Sequence, residues 1–343
     1  MTNNRINLKG FPSDKEIAKA ESEGKPLILA PSVKANCNYK CIMCFVRSGK
    51  VLSGEIELEE HKFVIDQISK MGAKYTIIAM VGEPFMDPAF YNPAKETFPL
   101  IDYANKHGMY VVAFTNGSLV RPEILKKLIR KDVSLIGKLW SFNPGLYNEM
   151  TGAKNEFVEY KGLLIPKGIK LMMDAGFNKI KNEKTRMGID IIVTSKNYRE
   201  IPDIVNFALK NGIKPVIDTM IPTERARQNY DKLKLGERQN KWLYLQLVKS
   251  LGKGFVNDQF VEGCAVRRVG LAYDNFGEVR VCCALEANVG NIKYESIKQL
   301  FEKIQAYRKQ LPHYKKVEKT LGACDTAMYV KEKEGLLKHT RKE

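Results

Sequence analysis

The sequence predicts an α/β protein in which a parallel sheet carries helices on its outside, followed by a small α+β unit. Three observations carry that expectation. Between residues 27 and 235, short apolar runs alternate with amphipathic helical stretches, which is the rhythm of βαβ units. Beyond about residue 235 the rhythm changes to a helix, a hairpin and a last helix. The cysteines fall into two groups, at 37, 41 and 44 and at 264, 282, 283 and 324, with none between the groups.

Taken in order, residues 1–26 are polar and charged and read as an extension. Six strands are expected at 27–33, 75–81, 109–115, 133–140, 188–194 and 215–221, each a short apolar run bounded by turn residues. Helices are expected at about 57–71, 95–107 and 121–130, and most clearly at 200–210. There Ile201, Ile204, Val205, Ala208 and Leu209 recur on one face, and Asn211-Gly212 supplies the stop. The stretch 142–187 is longer than a simple connection and reads as substrate-facing elaboration. A helix at 237–251 follows, then a hairpin of 269–274 and 278–283 around Asp274-Asn275-Phe276-Gly277. A final helix packs Ile297, Leu300, Phe301 and Ile304 along one stripe. The domain boundary is expected near 235–255, the second unit running to about 330, and 331–343 forms a charged tail.

Composition excludes several classes. The chain of 343 residues is 44% hydrophobic and 28% charged, enough apolar material for a large core and too much for low-complexity disorder. No apolar run approaches the roughly 18 to 20 residues of a membrane span, and the amino terminus lacks the apolar stretch of a signal peptide. A soluble, cytoplasmic protein is expected. The 56 Lys+Arg against 39 Asp+Glu give a net charge of +17, but the basic residues are dispersed and read as a solvated lysine-rich surface. An odd cysteine count without an export signal argues for metal, cluster or thiol chemistry over a disulfide framework.

Cys37, Cys41 and Cys44 form C-x3-C-x2-C in a loop directly after the first strand. Three thiolates so spaced can each take one corner of a cubane iron–sulfur cluster and leave the fourth iron without a protein ligand. Structural zinc would need a fourth Cys or His nearby, and the nearest histidine is His61. This motif in this place resembles the radical S-adenosylmethionine (radical SAM) superfamily. The resemblance implies a partial (β/α)6 TIM-type barrel and a [4Fe–4S] cluster whose open iron binds S-adenosylmethionine. It also implies reductive cleavage of that molecule to a 5′-deoxyadenosyl radical, with an electron from a partner such as flavodoxin or ferredoxin. Where the family often has an aromatic residue before the third cysteine, this chain has Met43, followed after the cysteine by Phe45, and either side chain can cover the adenine.

The resemblance extends along the chain. Gly82-Glu83-Pro84 follows the second strand, where the family carries Gly-Gly-Glu-Pro to hold the methionine ammonium; Val81 replaces the first glycine. Asn116, in Thr115-Asn116-Gly117 after the third strand, matches a family turn at the barrel mouth, or serves as a tight turn alone. Ser141 and Asn143, after the fourth strand, are placed on the cofactor by the resemblance, with Asn143 alternatively a helix cap. After the fifth strand Thr194 is a further cofactor candidate, and either Thr194 or Asn197 caps the following helix.

Cys264, Gly277 and Cys282 are spaced C-x12-G-x4-C across the expected hairpin, resembling the SPASM and Twitch extensions of radical SAM enzymes. That resemblance implies an auxiliary [4Fe–4S] cluster on Cys264, Cys282 and Cys324, with Cys283, Asp325 or substrate completing it. Adjacent strand residues face opposite ways, which separates Cys283 from Cys282. Cys283 is then either a catalytic hydrogen-atom donor or a small buried hydrophobe.

The fold does not fix the substrate. Only 36 residues precede Cys37, too few for a leader-peptide-binding domain. The expected substrate is therefore a small molecule, such as an amino sugar or polyol, that is oxidised or epimerised. The alternatives are maturation of a ribosomal peptide or protein and, from the net charge, RNA modification, which predicts a salt-dependent shift of tRNA.

Overall fold

The computed structural model describes residues 6–46, 48–252, 264–281 and 287–310. Six parallel strands form the centre of a nine-stranded sheet: β2 (Ile28–Pro31), β3 (Tyr75–Ile78), β4 (Tyr110–Thr115), β5 (Val133–Lys138), β9 (Met187–Val193) and β10 (Lys214–Thr219). The first four lie within their expected runs, shortened where the chain turns out of the sheet, and the last two begin one residue earlier than expected. Their order, β2-β3-β4-β5-β9-β10, follows the chain, as successive right-handed βαβ crossovers require.

Both faces of these strands are apolar because both are covered. Val111, Ala113, Val133, Leu135, Ile189 and Ile191 face the outer layer, where α2 (Leu58–Lys70), α3 (Pro99–Lys106), α4 (Pro122–Leu128), α6 (Lys167–Asp174) and α7 (Ile201–Lys210) pack. The alternate residues Ile28, Ala30, Ile77, Val112 and Ile136 face the lumen. Gly137 sits on the outward face because a Cβ there would meet the side chains of Ile169 and Met172.

The amino-terminal stretch is more than an extension. β1 (Asn7–Leu8) pairs in parallel with β8 (Lys184–Thr185), and α1 (Asp14–Ser22) opens on a capping box between Ser13 and Glu16. Leu8, Ile17 and Ala20 join the lumen-facing core, and the Ser134 hydroxyl donates to the Lys9 carbonyl at 2.7 Å. The segment thereby closes the amino-terminal end of the barrel and leaves the carboxyl-terminal end for chemistry.

Residues 142–187 contain α5 (Pro144–Thr151), the hairpin of β6 (Phe157–Tyr160) and β7 (Leu163–Pro166), and α6. After β10 come α8 (Glu224–Gln228), α9 (Tyr230–Leu233) and α10 (Glu237–Leu251), the last as expected. No helix among the described residues is long and apolar enough to cross a membrane.

The second unit continues the barrel sheet. After α11 (Ala265–Val269), β11 (Gly270–Tyr273) pairs in parallel with β2, from Gly270 against Ile28 to Tyr273 against Pro31. β12 (Glu278–Arg280) and β13 (Asn288–Asn291) follow antiparallel, so the expected hairpin gains a third strand. Its turn is built by Asp274, whose carboxylate accepts from the amides of Phe276 and Glu278 and from Arg280, and by Gly277 at φ +82°. The final helix, α12 (Ile297–Arg308), buries Ile297, Leu300, Phe301 and Ile304, the expected stripe.

His61 on α2 is fully buried, with Nδ1 2.7 Å from the Tyr273 hydroxyl on β11. Burial pushes its imidazole down to about 4. As pH falls below the ordinary histidine value, the unfolded chain takes up the proton first, so stability is lost between about pH 6.5 and 4 and then levels off. The expected loss is about 3 kcal/mol over that window. Urea unfolding of wild type and His61→Gln near pH 7 and near pH 4 checks this: the variant should lack that part of the slope, and parallel pH profiles would refute it.

Candidate functional site

The three cysteines of C-x3-C-x2-C lie at the carboxyl end of β2, in the loop leading to α2, and carry free thiols. The loop is pinned from three sides. Its own ends close on each other, the Cys37 amide donating to the Gly49 carbonyl and the Gly49 amide to Ala35. The end of α5 holds it next: Lys40 and Ile42 donate to the carbonyls of Thr151 and Met150, which as last-turn residues lack helical partners. Gly152, at φ +61°, ends that helix, and a Cβ there would run into the Lys40 carbonyl. The third side is the segment after β10. The Thr223 hydroxyl donates to the Phe45 carbonyl at 2.7 Å, the Ala226 amide to Cys44 at 3.0 Å, and Asn229 Nδ2 to Ile42 at 3.0 Å. Arg225 completes it, Nη1 donating to the Cys41 carbonyl at 3.1 Å and Nη2 to Ser48 at 3.4 Å.

Cys41 and Met43 point into a buried cluster with Trp140, Tyr147, Met150 and Met220, against which Cys37, Cys44 and Phe45 pack half-buried. Met43 is thus core, and Phe45 is the more open of the two side chains considered for the adenine. Burial pushes the Cys37 thiol up and the Cys41 thiol up to about 12. Any metal that binds here must displace those protons. Among the described residues no three His, Cys, Asp or Glu side chains converge on a single-ion site. Cys37 instead borders a pocket lined also by Tyr39, Met80, Gly82, Glu83, Asn116 and Lys138.

Gly82 and Glu83 join that pocket to the cysteine loop. The Gly82 amide donates to Ser48 Oγ at 3.0 Å, and the Glu83 amide to the Asn36 carbonyl at 2.8 Å. The Glu83 carboxylate is buried and already engaged: it accepts from Thr115 Oγ1 at 2.6 Å, the Asn116 amide at 2.7 Å and the Phe85 amide at 3.3 Å. Burial pushes this carboxyl up, and those donors pull it back. Glu83 therefore ties the ends of β3 and β4 together, and its remaining lone pairs are what a cationic amine in the pocket meets. Pro84 opens a short 3-10 turn, Pro84–Met86, for which Glu83 is the cap. Asn116 donates through Nδ2 to Asn38 in the cysteine loop at 2.8 Å.

The next two strand ends are held by polar contacts within the protein. Ser141 Oγ donates to the Glu200 carboxylate at 2.8 Å, and Asn143 caps α5 by accepting from the amides of Gly145 and Leu146. Thr194 donates to Asn197, whose Nδ2 in turn donates to the carbonyls of Trp140 and Ile192. Neither Thr194 nor Asn197 caps the following helix. The N-cap of α7 is Glu200, because the chain first makes a turn that closes β9 onto β5. Cys264 is exposed at the N-cap of α11; Cys282, Cys283, Cys324 and Asp325 lie outside the described residues.

Three charged residues in the lumen escaped the sequence reading. Lys138 on β5 pairs in register with Asp190 on β9, and Asp218 stands one lumen position further along β10. Burial works against the Lys138 ammonium, but Cys41, Asp190, Cys44 and Cys37 outweigh it and raise it above the ordinary lysine value. Burial pushes the Asp190 carboxyl up to about 6, moderated by Lys138. Asp218 opens onto the lumen, where enclosure by the barrel and then Asp190 push its carboxyl up. The available signal was a single charge at an inward position of an otherwise apolar strand, as in Gly188-Ile189-Asp190-Ile191-Ile192. The site thus unites a three-thiol loop, a buried carboxylate at the mouth and a cation facing the thiols.

The profile of the Radical SAM superfamily matches residues 32–208, more than half of the chain. Among curated proteins, the mycofactocin maturase MftC of Mycolicibacterium smegmatis is 25% identical over 278 residues, 75% of this chain and 64% of that protein. The chain thus spans just under two thirds of the length of that relative. The AdoMet-dependent heme synthase of Methanosarcina barkeri is 23% identical over 337 residues, 89% of both chains. Among solved structures, Streptococcus suis SuiB bound to S-adenosylmethionine superposes with a TM-score of 0.59 at 17% identity, covering 86% of this chain and 71% of that one. SuiB has also been solved bound to its precursor peptide SuiA. At that identity the likeness is one of fold.

Proposed function

Because the chain belongs to the radical SAM superfamily, we propose that it is a peptide-modifying radical enzyme whose C-x3-C-x2-C loop holds the [4Fe–4S] cluster. The enzyme uses that cluster and S-adenosylmethionine, which together supply, when bound, a radical able to abstract hydrogen from an unactivated carbon. The protein's part is positioning. Cys37, Cys41 and Cys44 ligate three irons. Glu83 and the Gly82 backbone receive the amino end of the cofactor. Lys138 places a positive charge beside the thiolates, Phe45 covers one side, and Asn116 braces the mouth.

The carrying observation for the substrate is the relationship to a maturase across three quarters of the chain. A fold shared with SuiB, which has been caught on a precursor peptide, agrees with it. This favours peptide maturation over the small-molecule substrate expected from the short segment before Cys37. Asp218, exposed near the carboxyl end of β10, is a carboxylate that a peptide approaching the barrel mouth would meet. Cys264, Cys282 and Cys324 are assigned a SPASM- or Twitch-like auxiliary cluster, able to take the electron of an oxidised product, and Cys283 the role of a hydrogen-atom donor in an epimerisation. The heme synthase, matched over 89% of its length, supports a second reading in which the substrate is a heme precursor.

The test is anaerobic turnover of the reduced, reconstituted chain with S-adenosylmethionine and each small peptide encoded beside its gene, followed by mass spectrometry in light and heavy water. The expected result is a peptide that loses hydrogen or takes up solvent deuterium, with 5′-deoxyadenosine formed alongside. Unchanged peptides together with conversion of a heme precursor to heme would replace the peptide reading with the second one.

A further inference from the structure

We infer that Arg225 is a positioning residue for the cluster loop, and that its guanidinium sets how readily the bound cluster is reduced. The inference rests on family membership and not on the substrate reading. Carbonyls of the cysteine loop that would otherwise seek water point into the segment after β10, and Arg225 spans two of them, at Cys41 and Ser48. Cys41 is the central ligand, and Ser48 is the residue whose hydroxyl receives the Gly82 amide. One planar fork therefore fixes the loop at its middle and at the point where it meets the pocket, a geometry a point cation cannot reproduce. Asn229 reinforces it by donating both to the Ile42 carbonyl and back to the Arg225 carbonyl.

The electrostatic consequence follows from placement. Arg225 is half-buried, and a fixed cation there acts through a medium less polarisable than water. One-electron reduction adds a negative charge to the cluster, so a neighbouring guanidinium favours the reduced form. Lys138 faces the same thiols from the lumen, whereas Arg225 reaches the backbone of the loop from the segment after β10.

The test uses the full chain, reconstituted anaerobically, with the cluster followed by electron paramagnetic resonance. Its signal is assigned as the one that shifts when S-adenosylmethionine is added. In Arg225→Met the midpoint potential should become more negative. At a potential that half-reduces the wild type, the reduced-to-oxidised ratio should fall about tenfold, which is about 59 mV for a one-electron couple. Arg225→Lys keeps the charge and loses the fork. It should hold the wild-type potential yet surrender iron to a chelator several-fold faster. A wild-type midpoint in Arg225→Met overturns the electrostatic role. If Arg225→Met retains no cluster, Arg225→Lys decides: a wild-type rate of iron loss there overturns the positioning role.

Discussion

Cys41→Ala is expected to abolish cleavage of S-adenosylmethionine and to remove about four irons per chain, the content of one cubane cluster. Cys41 is the middle ligand of the three and is only 6% exposed. Its loss leaves two cysteine ligands on the loop, and among the described residues no group of three His, Cys, Asp or Glu side chains is placed to hold a metal ion instead. The fold should survive. The loop is held by its backbone, through Lys40, Ile42, Cys44 and Phe45, and removing one thiol group falls in the ordinary range of about 1 kcal/mol. Circular dichroism and thermal unfolding should therefore stay near wild type while 5′-deoxyadenosine falls to background. Cys264→Ala provides the contrast: it should lower the iron count through the auxiliary site and leave basal cleavage measurable. Full cleavage in Cys41→Ala would mean that the cluster is held elsewhere.

Gly82→Ala should reduce cleavage about a hundredfold while leaving the cysteine ligands untouched, the size of effect that a displacement of about 1 Å can have at a reacting centre. Gly82 has φ +82°, a region that costs an alanine about 1–2 kcal/mol. The steric problem is larger. A Cβ there would drive into the Lys34 carbonyl oxygen and press on that of Asn36. Lys34 cannot easily yield, since its amide is held by the Asp87 carboxylate at 2.7 Å. The relief is for the Gly82-Glu83 turn to move away from the cysteine loop, breaking its bonds to Ser48 and Asn36. The expected signature is normal iron content with a weakened spectroscopic response to S-adenosylmethionine. Gly24→Ala separates strain from placement: Gly24 has φ +64° but open space around it, so that variant should lose stability and keep activity. Equal losses in the two variants would remove the placement argument.

Much of the architecture was legible before any coordinates. The strands at 110–115 and 133–138 and the helix at 201–210 are written in local periodicity, and the hairpin turn at Asp274 to Gly277 in local hydrogen-bonding chemistry. The polar roles at the strand ends were less legible. Ser141, Asn143, Thr194 and Asn197 look alike in sequence whether they face a ligand or brace a turn, and here they brace turns with Glu200, α5 and Trp140. A hydroxyl or amide satisfies either demand, so residue type alone cannot separate them.

By itself the sequence determined the parallel α/β order, the three-thiol loop after the first barrel strand and the turn carrying Gly82 and Glu83. All of these depend on neighbours a few residues apart. Only the tertiary structure decided that Lys138, Asp190 and Asp218 share one lumen, that Arg225 and Asn229 reach back some 180 residues to hold the cysteine loop, and that β11 docks on β2. Those contacts follow from strand register and barrel curvature, which bring together groups far apart in the chain and leave no trace in local pattern.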